Sequence, residues 1–511
     1  MKRTIPALLL VGVTLAGSAY LWAQERRLQP RLWTLHFPAT ELGLSVADLD
    51  GDGRRDLAVA HQTAPRSAAR QVSLFLHGPE LARRFEPEPT HVLDVPRDAC
   101  AFAVGDFGPG AGGEVLYVCP TRIAIATREG ALSEVGPFDG FFDYPEDAAL
   151  PEWDLCPDLD RDGIPEVLVP VKDGYVILGR AADGALAERS RIELPAEDRF
   201  GPSFETKLLN RFLSSSSRLR RVVVADADGD GRLDLCAYRD EGLAVWLQRE
   251  DGSFPATPDR ERPLALVADQ GEGEGSQAFK NVRLELEDLD RDGCADLIAT
   301  RVQGEIGVFS SLRTQLIVFR GTPDGYAEDK PTTVLNFKGL AIDPEWVDLN
   351  GDGKLDAVVS TIRMDMLTNV KRAVLESMTI TYHLHLQGQA TALAEDPAFS
   401  LDMDVPLSAL ERNGGSRAAL FSAELSGDGV RDMIARDPDG GLEIRPGVLE
   451  GEGADATIVF DEARPVSLKI YRCLPPRVVD LDGDGRDELL LEPFGGEGPE
   501  HRSLRLVAVS E

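Results

Sequence analysis

An all-β fold of eight repeated blades is predicted by three observations: a recurring acidic loop, short apolar strands at even spacing, and a spare strand near the start of the chain. The loop has the pattern DxDxDGxxD and is intact in copies beginning at Asp48, Asp158, Asp226, Asp288, Asp348 and Asp480. Two decayed relatives begin at Asp106 and Glu424. The starts recur about every 62 residues, a longer unit than the ~40–45 residues of a WD40 blade. In the first repeat the strands read as 44–49, 57–60, 72–76 and 92–95. The same order returns at 222–225, 233–238, 243–247 and 264–267, and again at 282–286, 295–300, 315–319 and 333–337. Four short strands per repeat, punctuated by Gly, Pro and Asp, predict an eight-bladed β-propeller of four-stranded antiparallel blades, with seven blades as the alternative.

The spare strand bears on closure. After Asp480 two strands follow, 488–491 and 504–509, one fewer than a blade needs after its first. A strand at 32–37 precedes the first loop. If strand 32–37 completes the last blade, the ring closes and leaves no sheet edge exposed. The expected organisation is therefore a leader at 1–24 and one propeller domain over 25–511. The leader reads as a secretory signal: Lys2 and Arg3 start it, 5–16 is apolar, and Gly17-Ser18-Ala19 offers a small-residue cleavage site. A second reading, an uncleaved membrane anchor, stands beside it because apolar character continues through Tyr20, Leu21 and Trp22 to Ala23. Either way the chain is expected to be exported, to the periplasm, the cell envelope or the exterior.

Composition suits such a body. Hydrophobic residues make up 43% and aromatics 6%, so burial rests on Val, Leu, Ile and Ala. The net charge of −33 argues against nucleic-acid partners and against an anionic membrane surface, leaving the uncleaved leader as the one route to a membrane. The six cysteines permit disulfides in an exported chain without requiring them. Cys100 and Cys119 flank the decayed loop almost symmetrically and would face each other on a hairpin, so a bridge is one reading and a pair of small buried hydrophobes the other.

Much of the negative charge sits in the loops. Ca²⁺ takes six to eight oxygens, and a short turn supplies them when alternate side chains point inward and Gly relieves the tightest bend. The candidate ligands at positions 1, 3, 5 and 9 are Asp48, Asp50, Asp52 and Asp56 in the first loop, and Asp158, Asp160, Asp162 and Glu166 in the second. Then come Asp226, Asp228, Asp230 and Asp234, followed by Asp288, Asp290, Asp292 and Asp296. Asp348, Asn350, Asp352 and Asp356 form the fifth set, and Asp480, Asp482, Asp484 and Glu488 the sixth. An EF-hand would need a bidentate Glu at position 12, where this chain has Val59, Val169, Ala237, Ala299, Val359 and Leu491. About six calcium ions are expected, with metal binding coupled to folding because crowded carboxylates repel. The Asp106 and Glu424 loops are expected to hold none, having lost too many oxygens.

The repeats resemble the FG-GAP and VCBS-type repeats of the integrin alpha N-terminal β-propeller and its bacterial relatives. Leu42-Gly43-Leu44-Ser45-Val46 stands where that family has Phe-Gly, the 48–56 loop matches its calcium motif, and Ala64-Pro65 resembles its Gly-Ala-Pro ending. The likeness spans the predicted mature chain, although most repeats lack the Phe-Gly and Gly-Ala-Pro pieces. No inserted domain, stalk or C-terminal membrane span of the integrin kind accompanies it, so integrin signalling is not implied.

Long connections are expected on the face opposite the acidic loops, at 61–71, 138–152, 196–217, 268–280, 301–313 and 361–378, and loops on a rigid scaffold are where binding resides. Phe141, Phe142, Tyr144 and Trp153, among acidic neighbours, suit a glycan or peptide ligand, or else cap the blade ends; Phe200, Phe204 and Phe212 mark the next connection. The 364–378 segment has the three- and four-residue spacing of a short amphipathic helix. Catalytic signals are poor: there is no GxSxG, HExxH or phosphate loop. His383 and His385 alternate on a strand, which suits either a transition metal or a half-buried strand face. The predicted function is a calcium-binding scaffold for adhesion or for an unidentified protein or glycan partner. The alternative is an enzyme, a polysaccharide lyase or a phytase-like hydrolase.

Overall fold

The structure, a computed structural model, describes residues 29–38, 41–64, 67–78, 84–108, 112–140, 150–204, 211–239, 242–264, 278–305, 312–326, 330–341, 344–363, 376–388, 391–408, 418–437, 441–451, 457–461, 465–470, 472–494 and 502–510. The leader, the aromatics at 141–144 and the 364–375 segment lie outside the described residues. Met378, expected at the end of a helix, is on the strand Ser377–His385. No helix among the described residues is long and apolar enough to cross a membrane.

Antiparallel meanders build the molecule. Blade 1 consists of Glu41–Ala47, Asp56–Gln62, Arg70–Phe75 and His91–Asp94; blade 2 of Ala101–Gly105, Glu114–Cys119, Arg122–Ala126 and Leu132–Val135. Blade 3 has three strands in its ladder, Val167–Val171, Gly174–Arg180 and Leu186–Glu193. Blade 4 is Val222–Ala225, Asp234–Arg239, Gly242–Trp246 and Arg260–Pro263; blade 5 is Ala278–Glu287, Asp296–Glu305, Arg313–Phe319 and Thr333–Lys338. In blade 6 the first strand is split into Leu340–Ala341 and Glu345–Val347, before Asp356–Ile362, Ser377–His385 and Phe399–Pro406. Blade 7 is Ala419–Ala423, Asp432–Arg436, Leu442–Arg445 and Val466–Leu468. Blade 8 is Arg477–Val479, Glu488–Leu491 and Ser503–Ser510, with Gln29–His36 as its outermost strand. That last pairing runs unbroken from Gln29 opposite Ser510 to His36 opposite Ser503.

The count of eight follows from the core. Successive side chains of a strand point to opposite faces, so each blade contributes alternate residues to its two neighbours. Leu57 and Val59 pack with Leu490 and Leu504 of blade 8, whereas Ala58 and Ala60 pack with Phe102 and Tyr117 of blade 2. One buried apolar cluster fills every junction between consecutive blades, including the one between blades 8 and 1. A seven-bladed ring is thereby excluded.

Two features differ from expectation. The innermost segment of blade 3 forms no ladder: it touches the next strand through Leu168 N to Leu155 O at 3.0 Å and Glu166 N to Pro157 O at 2.8 Å. Pro151 and Pro157 lack donors, and residues 151–153 bond instead to Phe102 at the innermost strand of blade 2. The expected connection at 196–217 contains a two-stranded hairpin, Glu197–Phe204 with Arg211–Arg218. Of the two readings of the cysteine pair, the buried one holds: no disulfide forms, and Cys100 and Cys119 are both buried. The first ladder pair is Ala101 opposite Val118, one residue inside the two thiols, and the Cys100 Sγ turns to the Asp98 carbonyl at 3.5 Å.

Candidate metal centre

Each acidic loop leads into the second strand of its blade, or in blade 3 the first strand of the ladder, and five pairs of neighbouring loops are bonded through the main chain. Arg55 N donates to Leu481 O at 2.7 Å, Gly113 N to Leu49 O at 2.9 Å, Ala295 N to Asp226 O at 2.7 Å, Leu355 N to Leu289 O at 2.9 Å and Asp487 N to Glu424 O at 2.7 Å. The loops therefore share one face of the ring.

Position 1 shapes the turn. Asp48 accepts from Gly51 N at 2.7 Å and from Gly53 N at 2.8 Å, and Asp226, Asp348 and Asp480 repeat this arrangement. Position 5 caps the main chain two residues on: Asp52, Asp162, Asp230, Asp292, Asp352 and Asp484 each accept from the N–H of position 7 at 2.8–3.0 Å. Position 9 lies at the base of the turn and joins strands. Asp56 accepts from Leu49 N at 2.7 Å and His77 N at 2.6 Å; Asp234 from Ala227 N and Gln248 N, both at 2.9 Å. Asp296 bonds Leu289 N and Gly321 N, and Asp356 bonds Leu349 N and Gln387 N. The second partner in each case follows the third strand, so this carboxylate pins the acidic loop to the link beside it.

Asp432 of the 424 loop keeps this last feature, whereas Glu114 of the 106 loop takes both of its bonds within its own loop. Glu114 accepts from Phe107 N and Gly108 N, both at 2.9 Å, and Asp432 from Leu425 N at 2.8 Å and Gly447 N at 3.0 Å. Sequence reasoning treated position 9 as a metal ligand alone and missed this structural duty. The signal was present: the position stays acidic in both decayed loops, where position 3 has become Gly108 and Ser426.

Carboxylate oxygens come within 4.8 Å of one another in five loops: Asp48, Asp50 and Asp56; Asp158, Asp160 and Glu166; Asp226, Asp228 and Asp230; Asp288, Asp290 and Asp296; Asp480, Asp482 and Glu488. Asp52, Asp162, Asp292 and Asp484 stand outside these groups, as does Asp234 at the closing position of the 226 loop. In the fifth loop position 3 is Asn350, whose side-chain oxygen accepts from Asp352 N at 3.0 Å. Such sets are hard oxygen donors suited to calcium.

Two observations test the fit to a cation. Oδ1 of Asp228 and Oδ1 of Asp290 are buried without a hydrogen-bond partner, and the Asp290 side chain is only 7% exposed. A buried carboxylate oxygen without a donor is costly, and a cation in the loop removes that cost. Burial also pushes the closing carboxyls of Asp56 and Asp356 up to about 6, and those of Glu166, Asp234, Asp296 and Glu488 up to about 7, against main-chain N–H bonds that favour the charged form.

Trp153, His383 and His385 pack. Trp153 donates from Nε1 to Leu168 O at 3.2 Å and lies against the cores of blades 2, 3 and 4. His383 and His385 stand against Phe337 with ring centroids at 5.5 and 5.7 Å; His383 meets Thr361 Oγ1 at 3.2 Å and His385 meets Ala394 O at 2.8 Å. Phe200, Phe204 and Phe212 fall on the 197–218 hairpin.

Fold and loops together define a β-propeller with acidic hairpin loops, a general interaction scaffold. Residues 226–299 and 288–359, from the acidic loop of blade 4 to the second strand of blade 6, match the FG-GAP-like repeat. No curated protein matches the chain. Among solved structures it is similar to an Agrocybe aegerita lectin that recognises non-reducing terminal N-acetylglucosamine, at 14% identity over 84% of this chain and 90% of that one, TM-score 0.39. It is also similar to the V. cholerae biofilm matrix protein Bap1, at 12% identity over 95% and 92%, TM-score 0.33. A third is the WD40 domain of Toxoplasma gondii coronin, at 10% identity over 94% and 86%, TM-score 0.30.

Proposed function

We propose that this chain is an exported, calcium-stabilised propeller that acts as a binding or adhesion scaffold rather than as a catalyst. The observation that carries the calcium reading is the unpaired, buried Oδ1 of Asp290 in a loop where Asp288 and Asp296 converge on the same space. A divalent ion there neutralises the crowded carboxylates and joins the first two strands of a blade, so its primary role is structural. Glycan or peptide partners belong to the opposite face, where the connections are long.

Calorimetric unfolding of the purified chain with calcium and with EDTA tests the metal. Calcium is expected to raise the melting temperature, and Asp228→Ala to lower the bound-ion count by one; indifference to EDTA in both melting and ion content rejects the reading. Glycan and peptide arrays probed with the calcium-loaded chain test the scaffold role.

A further inference from the structure

We infer that the two glutamate-closed loops take no calcium, because an arginine of this chain stands where the ion would: Arg189 in the 158 loop and Arg84 in the 480 loop. The inference rests on the calcium reading above and divides six similar loops into two classes.

Position 9 makes the difference. In the four loops closed by Asp, both carboxylate oxygens meet main-chain N–H groups, one at position 2 and one beyond the third strand. In the two closed by Glu, Oε2 keeps the position-2 bond, from Leu159 N at 2.8 Å and from Leu481 N at 2.9 Å. The extra methylene carries Oε1 to a guanidinium instead. Arg189 Nη1 lies 3.0 Å from Glu166 Oε1 and 2.8 Å from Asp160 Oδ2. Arg84 donates from Nη1 to Glu488 Oε1, and its Nη2 lies 3.0 Å from Asp482 Oδ2. Each arginine thus bridges positions 3 and 9, two of the three carboxylates that converge in its loop.

A guanidinium so placed supplies the positive charge and the donors, and a calcium ion beside it would meet a like charge. The Arg84 side chain is 7% exposed and Glu488 1%, so solvent does not screen that conflict. The other loops differ. Arg320 reaches Asp290 at 3.3 Å and Asp292 at 2.6 Å, positions 3 and 5, from a side chain 42% exposed, and leaves Oδ1 of Asp290 unpaired. Arg260 stays 3.7 Å from Asp228. Among the described residues no arginine bridges positions 3 and 9 in the 48, 226, 288 or 348 loops. In the decayed blade 2 loop, also closed by Glu, the arginine sits elsewhere: Arg180 Nη2 donates at position 1, to Asp106 O at 3.0 Å and to its carboxylate.

Arg84 belongs to blade 1 and Glu488 to blade 8, so this clamp also latches the junction where the ring closes.

Metal content decides the matter. The full chain, equilibrated with buffered calcium and freed of unbound ion, is expected to hold about four ions by elemental analysis. Arg189→Gln is expected to hold one more, with its melting temperature raised further by calcium than that of the native chain. Arg84→Gln should do the same, and where it fails to fold Arg189→Gln carries the test alone. Six ions in the native chain overturn the inference and leave the calcium reading intact, as does an Arg189→Gln chain that folds with an unchanged count. No bound ion at all overturns the calcium reading and this inference with it.

Discussion

At the residue scale, the loops show how backbone conformation and burial set stability independently of metal. Gly53 sits at φ 86°, and no neighbouring atom lies within 4 Å of the place a Cβ would take, so an added methyl meets open space and only backbone strain. Position 4 has the same left-handed geometry, yet the 288 loop places Arg291 there at φ 58°. Gly53→Ala is expected to lower unfolding stability by about 1–2 kcal/mol, and Arg291→Gly to raise it by up to about 1 kcal/mol, in thermal melts with calcium present. Equal melting points for both variants and the native chain would contradict the assigned turn. Asp432 supplies a pH-dependent counterpart in a loop expected to bind no metal. Burial pushes its carboxyl up to about 7, although Gly447 N and Leu425 N favour the charged form. The folded state therefore holds this proton more tightly than the unfolded chain, so the stabilising contribution is full below about pH 4 and is lost as pH rises through about 7. In EDTA, Asp432→Asn is expected to show a shallower fall in melting temperature across that window, whatever its absolute value. An unchanged slope would mean that Asp432 is already ionised in the folded chain.

At the scale of strands and blades, what was legible in the sequence was whatever repeats locally. The DxDxDGxxD spacing placed six first-to-second-strand loops, and the alternation at 57–60 named residues that divide between two blade junctions. The spare strand was legible because its pattern is apolar; observed as Gln29–His36, it buries Leu35 completely while Leu32 remains 53% exposed. Leu35→Ala is expected to cost about 2–5 kcal/mol, since it empties a site shared with Leu57, Leu490 and Leu504, whereas Leu32→Ala stays within about 0.5 kcal/mol. Chemical denaturation of the two variants checks this, and similar losses for both would argue that the strand is not docked in this register. The 197–218 hairpin was not legible, because the polar run Ser214 to Ser217 carries no alternation. Nor were the arginine partners: Arg84 and Glu488 are 404 residues apart, and only closure of the ring brings them together. The cysteine pair left a bridge and a buried pair equally open, because symmetry about a loop in sequence does not fix where the ladder ends, and here it ends one residue inside the thiols.

At the scale of the whole molecule, main-chain bonds join five pairs of neighbouring acidic loops, and on the calcium reading proposed above the cation in each loop is expected to set where the ring loosens. Main-chain bonds tie loop to loop, from Leu355 to Leu289 and from Ala295 to Asp226 across blades 4 to 6, and from Arg55 to Leu481 across the junction of blades 8 and 1. In the first group the position-2 amides of Ala227 and Leu289 are held by Asp234 and Asp296, whose two oxygens are both taken by main-chain N–H groups; with calcium removed, these carboxylates are expected to repel their neighbours. The equivalent amides of Leu159 and Leu481 are held by Glu166 and Glu488, each already paired with a guanidinium. Local opening has its own free energy in each part of a structure, and hydrogen exchange reports it residue by residue. Chelation is therefore expected to accelerate exchange at Ala227 and Leu289 far more than at Leu159 and Leu481, so that blades 4 to 6 loosen while the closing junction and the base of blade 3 stay protected. Uniform acceleration at all four amides would show that the junction depends on metal as much as the rest of the ring. Acceleration at none would place the stability of the ring in its main-chain bonds and apolar junctions alone.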